Sequence, residues 1–161
     1  ASEVSFMLKE KGTCDGIGGN VPNLDNPEKL FKSYCALSKA INSGLVKTAH
    51  DCSEGGVGVA VAEMCIGGRT GANIDLDGTG DESLWARLWG ESLGRIIIAV
   101  SPENERQFLD IMSGNITTYL GEVTESQLLN ISDGYEQVIS ADVQNMVNSW
   151  QGTLDMTGGE I

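Results

Sequence analysis

Residues 57–66, VGVAVAEMCI, constrain the fold more than any other stretch, because Glu63 is their one charge. A helix at a protein surface carries an apolar stripe on one side. A helix that is apolar nearly all round is covered on more than one side. Gly55 and Gly56 precede the run, and Gly67 and Gly68 come after it and mark its end. Residues 45–49, LVKTA, read as a short strand leading into the glycine turn. Strand, glycine turn and buried helix in succession require a layered α/β or α+β domain.

The rest of the chain keeps the same alternation. Residues 4–8 read as a first strand, and Gly12 to Gly19 as a loop with four glycines in eight residues. Asn26 is placed to cap a helix with Pro27 at its first position and Glu28 in its first turn. Leu30, Tyr34, Leu37 and Ile41 share one face of that helix, and Gly44 ends it. Residues 72–76 alternate as a strand, residues 78–81 form a turn and residues 82–88 a short helix. The unbroken apolar run 96–100, IIIAV, predicts a central strand covered on both faces. Pro102 opens a helix to residue 112 with Phe108, Leu109 and Met112 inward. Strands are expected at 118–123, 128–131 and 137–140. A last helix starts at Ala141 or Asp142, with Val143, Met146, Val147 and Trp150 on its apolar stripe. The expected architecture is a mixed central sheet with helices packed on it over residues 1–151. A weakly packed tail occupies 152–161.

Charge and cysteine usage remove several function classes. The net charge is −13, with only ten Lys and Arg among 161 residues. Recognition of nucleic-acid phosphates needs clustered cations, and an acidic surface is repelled by anionic lipid. No apolar run reaches the ~20 residues that cross a bilayer. Cys14, Cys35, Cys52 and Cys65 form no CxxC pair, and one histidine accompanies them, which excludes a conventional zinc site. The expectation is a soluble cytoplasmic chain with reduced thiols.

Candidate chemistry concentrates at His50, Asp51, Ser53, Glu54, Gly55 and Gly56. This is a strand-to-helix turn, where unpaired backbone N–H groups and a partial positive charge suit a phosphate. The same residues are equally explained if Ser53 caps the helix and the glycines pack on the sheet. His50 and Asp51 are adjacent, so an extended backbone points them to opposite faces and they make no dyad. Glu91 and Ser92, ahead of Gly94 and Arg95, form a second candidate contact. The alternative there is a turn whose Arg95 pairs with a carboxylate. The glycine loop at 15–19 has no Lys-Ser/Thr after it and is not a P-loop.

These pieces resemble the phosphoribosylformylglycinamidine synthase family. TAHDCSEGGVGVAVAEM at residues 48–64 is similar to its AHDxSxGGLxxALAEM signature. WGESLGR at 89–95, IIIAV and Ser101-Pro102-Glu103 resemble FSESxGRxxVxVxPE, and LGEVT at 120–124 resembles IGxVT. Residues 68–76 look like the strand that comes after the first motif. The resemblance implies a domain of the type shared with aminoimidazole ribonucleotide synthase, selenophosphate synthetase and thiamine-monophosphate kinase. In those proteins a C-terminal domain completes a nucleotide cleft whose ATP and magnesium ligands lie mostly on an N-terminal domain. The synthase carries two such pairs, and Leu93 stands where the first pair has Gln in a Glu-Ser-Gln substrate contact. The resemblance therefore points to the second C-terminal domain.

The function it implies is part of a carbon–nitrogen ligase using glutamine-derived ammonia in purine biosynthesis. ATP would phosphorylate the formamide oxygen of formylglycinamide ribonucleotide, and ammonia would displace the phosphate. The implied cofactors are ATP or ADP with magnesium. The implied partners are the N-terminal ATP-binding domain, a glutaminase and small accessory subunits. The chain alone is expected to be a piece of the synthase, inactive and without strong nucleotide binding. The other expectations are a kinase or synthetase of the selenophosphate or thiamine-monophosphate type, or a non-catalytic scaffold.

Overall fold

A computed structural model describes residues 3–12, 26–80 and 83–152. Its helices are α1 (Glu3–Glu10), α2 (Pro27–Asn42), α3 (Gly56–Gly68), α4 (Leu84–Trp89), α5 (Pro102–Ile111) and α6 (Val143–Gly152). The strands are β1 (Val46–Asp51), β2 (Gly71–Asp75), β3 (Ile96–Val100), β4 (Gly121–Thr124), β5 (Leu128–Asp133) and β6 (Glu136–Asp142). The mixed α/β class expected from the sequence holds. The chain divides into two compact units, Ala1–Ala60 with Leu88–Thr118 and Val61–Arg87 with Tyr119–Ile161. Among the described residues no helix is long and apolar enough to cross a membrane.

In the first unit β1 and β3 pair antiparallel, with His50 opposite Ile97 and Asp51 opposite Ile96. Helices α2 and α5 supply Leu37, Ala40 and Phe108, and the C-cap of α5 supplies Met112, to a core that takes in Val46, Ile96, Ile98 and Val100. The alternation along β3 thus feeds the helices. Helix α2 begins as the sequence predicts, since the Asn26 side chain accepts from the Lys29 N–H at 2.9 Å. It ends with Gly44 in the left-handed region at φ 72°. There the Gly44 N–H donates to the Ile41 carbonyl at 2.9 Å and the Leu45 N–H to the Ala40 carbonyl at 3.2 Å. Both bonds satisfy carbonyls that the helix leaves orphaned.

The second unit holds a four-stranded sheet ordered β4-β2-β5-β6, in which only β2 and β5 run parallel. Its fully buried side chains are Leu76, Leu129, Ile131, Val143 and Val147. The other sheet face is polar, with Asn130 donating to Asn73 at 3.1 Å and Ser140 to Asn130 at 2.9 Å. Asp142 caps α6 by accepting from the Asn145 N–H at 2.8 Å. Arg87 grips the end of β5 with two bonds to Asp133, at 2.9 and 2.5 Å, and one to the Leu76 carbonyl at 2.8 Å.

Several sequence expectations are corrected. Residues 4–8 lie in α1 and not in a strand. Within the helix Val4 and Phe6 favour strand, whereas Met7, Leu8, Lys9 and Glu10 are good helix formers. Strand β3 pairs only with β1 among the described residues, and all five of its residues are half-buried. An apolar run records surface that favours leaving water, not how many layers cover it. Tyr34, Ile41, Leu109 and Trp150 are exposed, so the inward stripe of α2 runs through Leu37 and Ala40. Gly67 and Gly68 are both the last helical residues of α3, and the left-handed position after them is Arg69 at φ 53°. Most of the glycine loop after Gly12, and residues 81–82 and 153–161, lie outside the described residues.

Candidate functional site

The turn between β1 and α3 is built by both neighbours. Strand β1 delivers Asp51 at its end, and the next residue, Cys52, is buried and donates its N–H to the Arg95 carbonyl at 2.9 Å. Burial pushes the Cys52 thiol above its ordinary range. Ser53 and Glu54 are exposed, while Gly55 and Gly56 are buried. A Cβ on Gly56 would lie 2.7 Å from the Leu88 carbonyl oxygen and 2.8 Å from that of Gly90. A Cβ on Gly58 would lie 2.5 Å from the Trp89 ring. These glycines let the start of α3 lie directly on the 88–90 backbone.

Side chains around the turn are tied to one another. The Ser53 hydroxyl donates to the Asp51 carboxylate. That bond first, and the Asp51 backbone second, hold the Asp51 carboxyl below its usual range. The His50 Nδ1 lies 2.7 Å from the Asp51 carbonyl oxygen, which can only accept, so this nitrogen carries the proton. The Asp51 carboxylate is farther away, at 3.9 Å. The histidine is thus oriented by backbone and does not form a dyad with Asp51.

Both candidate segments meet at one bond. The Glu91 carboxylate accepts from the Gly55 N–H at 2.9 Å, at the N-terminal end of α3. Ser92 is exposed beside it. Arg95 donates to the Gly90 carbonyl at 3.0 Å, which holds the Glu91 segment from behind. Sequence reasoning named the two segments separately and missed their union. Nothing in the spacing of residues 55 and 91 announces it, and only packing brings them together.

A second feature had no sequence signal beyond alternating polar residues. An open pocket of about 590 Å³ lies on the polar face of the four-stranded sheet, lined in part by Asn73, Asp75, Tyr119, Asn130, Ser132 and Tyr135. The backbone N–H of Asp77 first, then that of Gly134, hold the Asp75 carboxyl below its usual range. Among the described residues no three His, Cys, Asp or Glu side chains are grouped to hold a metal ion. The described residues therefore gather no carboxylate cluster that would supply magnesium with its oxygen ligands.

Comparison with known proteins places this turn in a family. Subunit PurL of phosphoribosylformylglycinamidine synthase from Lactobacillus acidophilus is 37% identical over 151 residues, covering 93% of this chain and 18% of that protein. Among solved structures, Thermotoga maritima PurL complexed with FGAR superposes with a TM-score of 0.67 at 26% identity, over 76% of this chain and 21% of that one. Its complex with ATP gives a TM-score of 0.65 at 26% identity, over 72% and 21%. PurLQS from the same organism gives 0.68 at 25% identity, over 78% and 22%. The chain therefore spans about a fifth of the length of the relatives it matches, from 18% to 22%. The family described as AIR synthase related protein, C-terminal domain, matches residues 1–134, and the chain belongs to that family.

Proposed function

We propose that the chain is the second AIR synthase-related C-terminal domain of a phosphoribosylformylglycinamidine synthase and forms one wall of a nucleotide cleft. The observation that carries this reading is the alignment with a PurL subunit across 93% of the chain. The turn then faces the ligand with its exposed rim, namely Asp51, Ser53, Glu54 and half-exposed His50. Gly55 and Gly56 shape it from behind, and Glu91 and Ser92 flank it. The whole synthase would convert formylglycinamide ribonucleotide to its amidine in the cytoplasm, with ATP and ammonia from glutamine.

The domain's part is to position and shield, since phosphoryl transfer depends mainly on electrostatic positioning. Magnesium would neutralise phosphate charge, and its ligands belong to the N-terminal domain of the same synthase. A glutaminase and a small accessory subunit are the other proposed partners, in keeping with the PurLQS assembly of Thermotoga maritima. The test is a chimera in which this chain replaces the matching segment of Lactobacillus acidophilus PurL. Retained amidine formation supports the reading, and a folded but inactive chimera overturns it. The chain alone, given ATP, substrate and ammonia, should release no phosphate; turnover would show that it is more than half a cleft.

The occupied N-terminus of α3 favours a second reading, a structural half-site that holds the assembly together. Calorimetry with ADP and magnesium separates the two. In the scaffold reading the chain binds the N-terminal domain tightly and the assembled pair takes up no nucleotide.

A further inference from the structure

We propose that Glu91 is the resident anion of the α3 N-terminus and closes that position to a phosphate ligand. Helix α3 is 13 residues long and has no acidic residue in its first turn. Its N-terminal partial charge and orphan N–H groups therefore call for a negative partner from elsewhere in the chain. Glu91 supplies one from 36 residues away, with its carboxylate 2.9 Å from the Gly55 nitrogen.

The carboxylate is not a loose surface group that a ligand could brush aside. Gly56 packs on the Leu88 and Gly90 carbonyls with no room for a Cβ, which fixes the backbone carrying Glu91. Arg95 pins the Gly90 carbonyl from the other side at 3.0 Å. Gly55 is buried and Glu91 half-buried, so solvent screens the charge only in part. A phosphate seeking the Gly55 N–H would have to displace a tethered acceptor and then sit against its charge.

Glu91 is thus a positioning residue that decides what the turn accepts. The Glu91 carboxylate on the Gly55 N–H, with the exposed carboxylates of Asp51 and Glu54 in the same turn, suits hydroxyl or N–H donors of a ligand and disfavours a bare phosphoryl group. This deepens the nucleotide-cleft reading and rests on it for its biological meaning. Its test does not depend on it, because the probes are simple inorganic and organic anions.

The test monitors the Gly55 amide by nitrogen-15 NMR in the full 161-residue chain. Formate and inorganic phosphate are titrated into wild type, E91A and E91Q. In E91A both anions should shift the Gly55 amide saturably, with affinity at least roughly tenfold above wild type. Formate should also raise the melting temperature of E91A and leave that of wild type unchanged. E91Q keeps an acceptor without the charge, so its Gly55 amide should stay near the wild-type position while phosphate affinity rises. Equal phosphate affinity in wild type and E91A overturns the proposal, as does the absence of a saturable shift in all three proteins. Should E91A fail to fold, E91Q decides: phosphate affinity no higher than wild type overturns it.

Discussion

Gly44 and Gly56 are glycines for different reasons, and substitution separates them. Gly44 has φ 72° and open space where a Cβ would go, so Gly44→Ala adds only left-handed strain, about 1 kcal/mol. Gly56 has φ 65° and two carbonyl oxygens within 2.8 Å of a Cβ, so Gly56→Ala adds overpacking against backbone. Its cost should reach about 3 kcal/mol or more. Thermal unfolding measures both, and equal losses would sink the packing account of Gly56. Asp51 gives a pH prediction. Its folded pKa lies below the ordinary value of 3.8, so its contribution to stability is present above that value and lost as pH falls through the lower folded one. Ser53→Ala should return the Asp51 pKa toward 3.8, and a carboxyl-carbon NMR titration reads it. An unmoved pKa would mean that the hydroxyl is not the cause. At this scale the sequence picked out the turn itself, because glycines between a strand and a helix have few uses. It could not tell that Gly55 already has an acceptor.

Elements were legible wherever a local signal sets their ends. The Asn26 cap and the glycine after α2 stand where the sequence puts them, and Asp142 caps α6. Asn26→Ala should cost about 1 kcal/mol through loss of the cap. Phe108→Ala should cost about 3 kcal/mol through the cavity it leaves between α5 and its partners. Denaturant unfolding checks both, and a Phe108→Ala loss no larger than that of Asn26→Ala would contradict the assigned core. Which apolar residues find cover was less legible. On α5 Phe108 is buried, as is Met112 just beyond its end, while Leu109, one position from Phe108, is 47% exposed. On α2 the periodicity admits a stripe through Tyr34 and Ile41 as readily as one through Ala40. A helical pattern offers adjacent stripes, and the neighbouring element chooses between them. The first segment failed for another reason, since five residues, four of them apolar, are too few to separate strand from helix.

The whole chain carries −13, so repulsion between carboxylates opposes folding at low ionic strength. Raising salt from about 10 to about 150 mM shortens the screening length from about 30 to about 8 Å and should raise the melting temperature. A fall would mean that attractive pairs such as Arg87 with Asp133 outweigh the repulsion. The sequence by itself determined the mixed class, the caps, the strand-turn-helix around Gly55 and the acidity of the chain. It also carried the ordered motifs that the family assignment bears out. Tertiary structure alone decided that β3 has one partner strand among the described residues, that Ala40 and not Ile41 faces the core, and that Glu91 sits on Gly55. The reason is range. Caps, turns and periodicity act through the backbone over one to four residues, whereas the Glu91 to Gly55 bond closes a separation of 36. Only the packing of Gly56 against residues 88–90 brings that carboxylate to the helix.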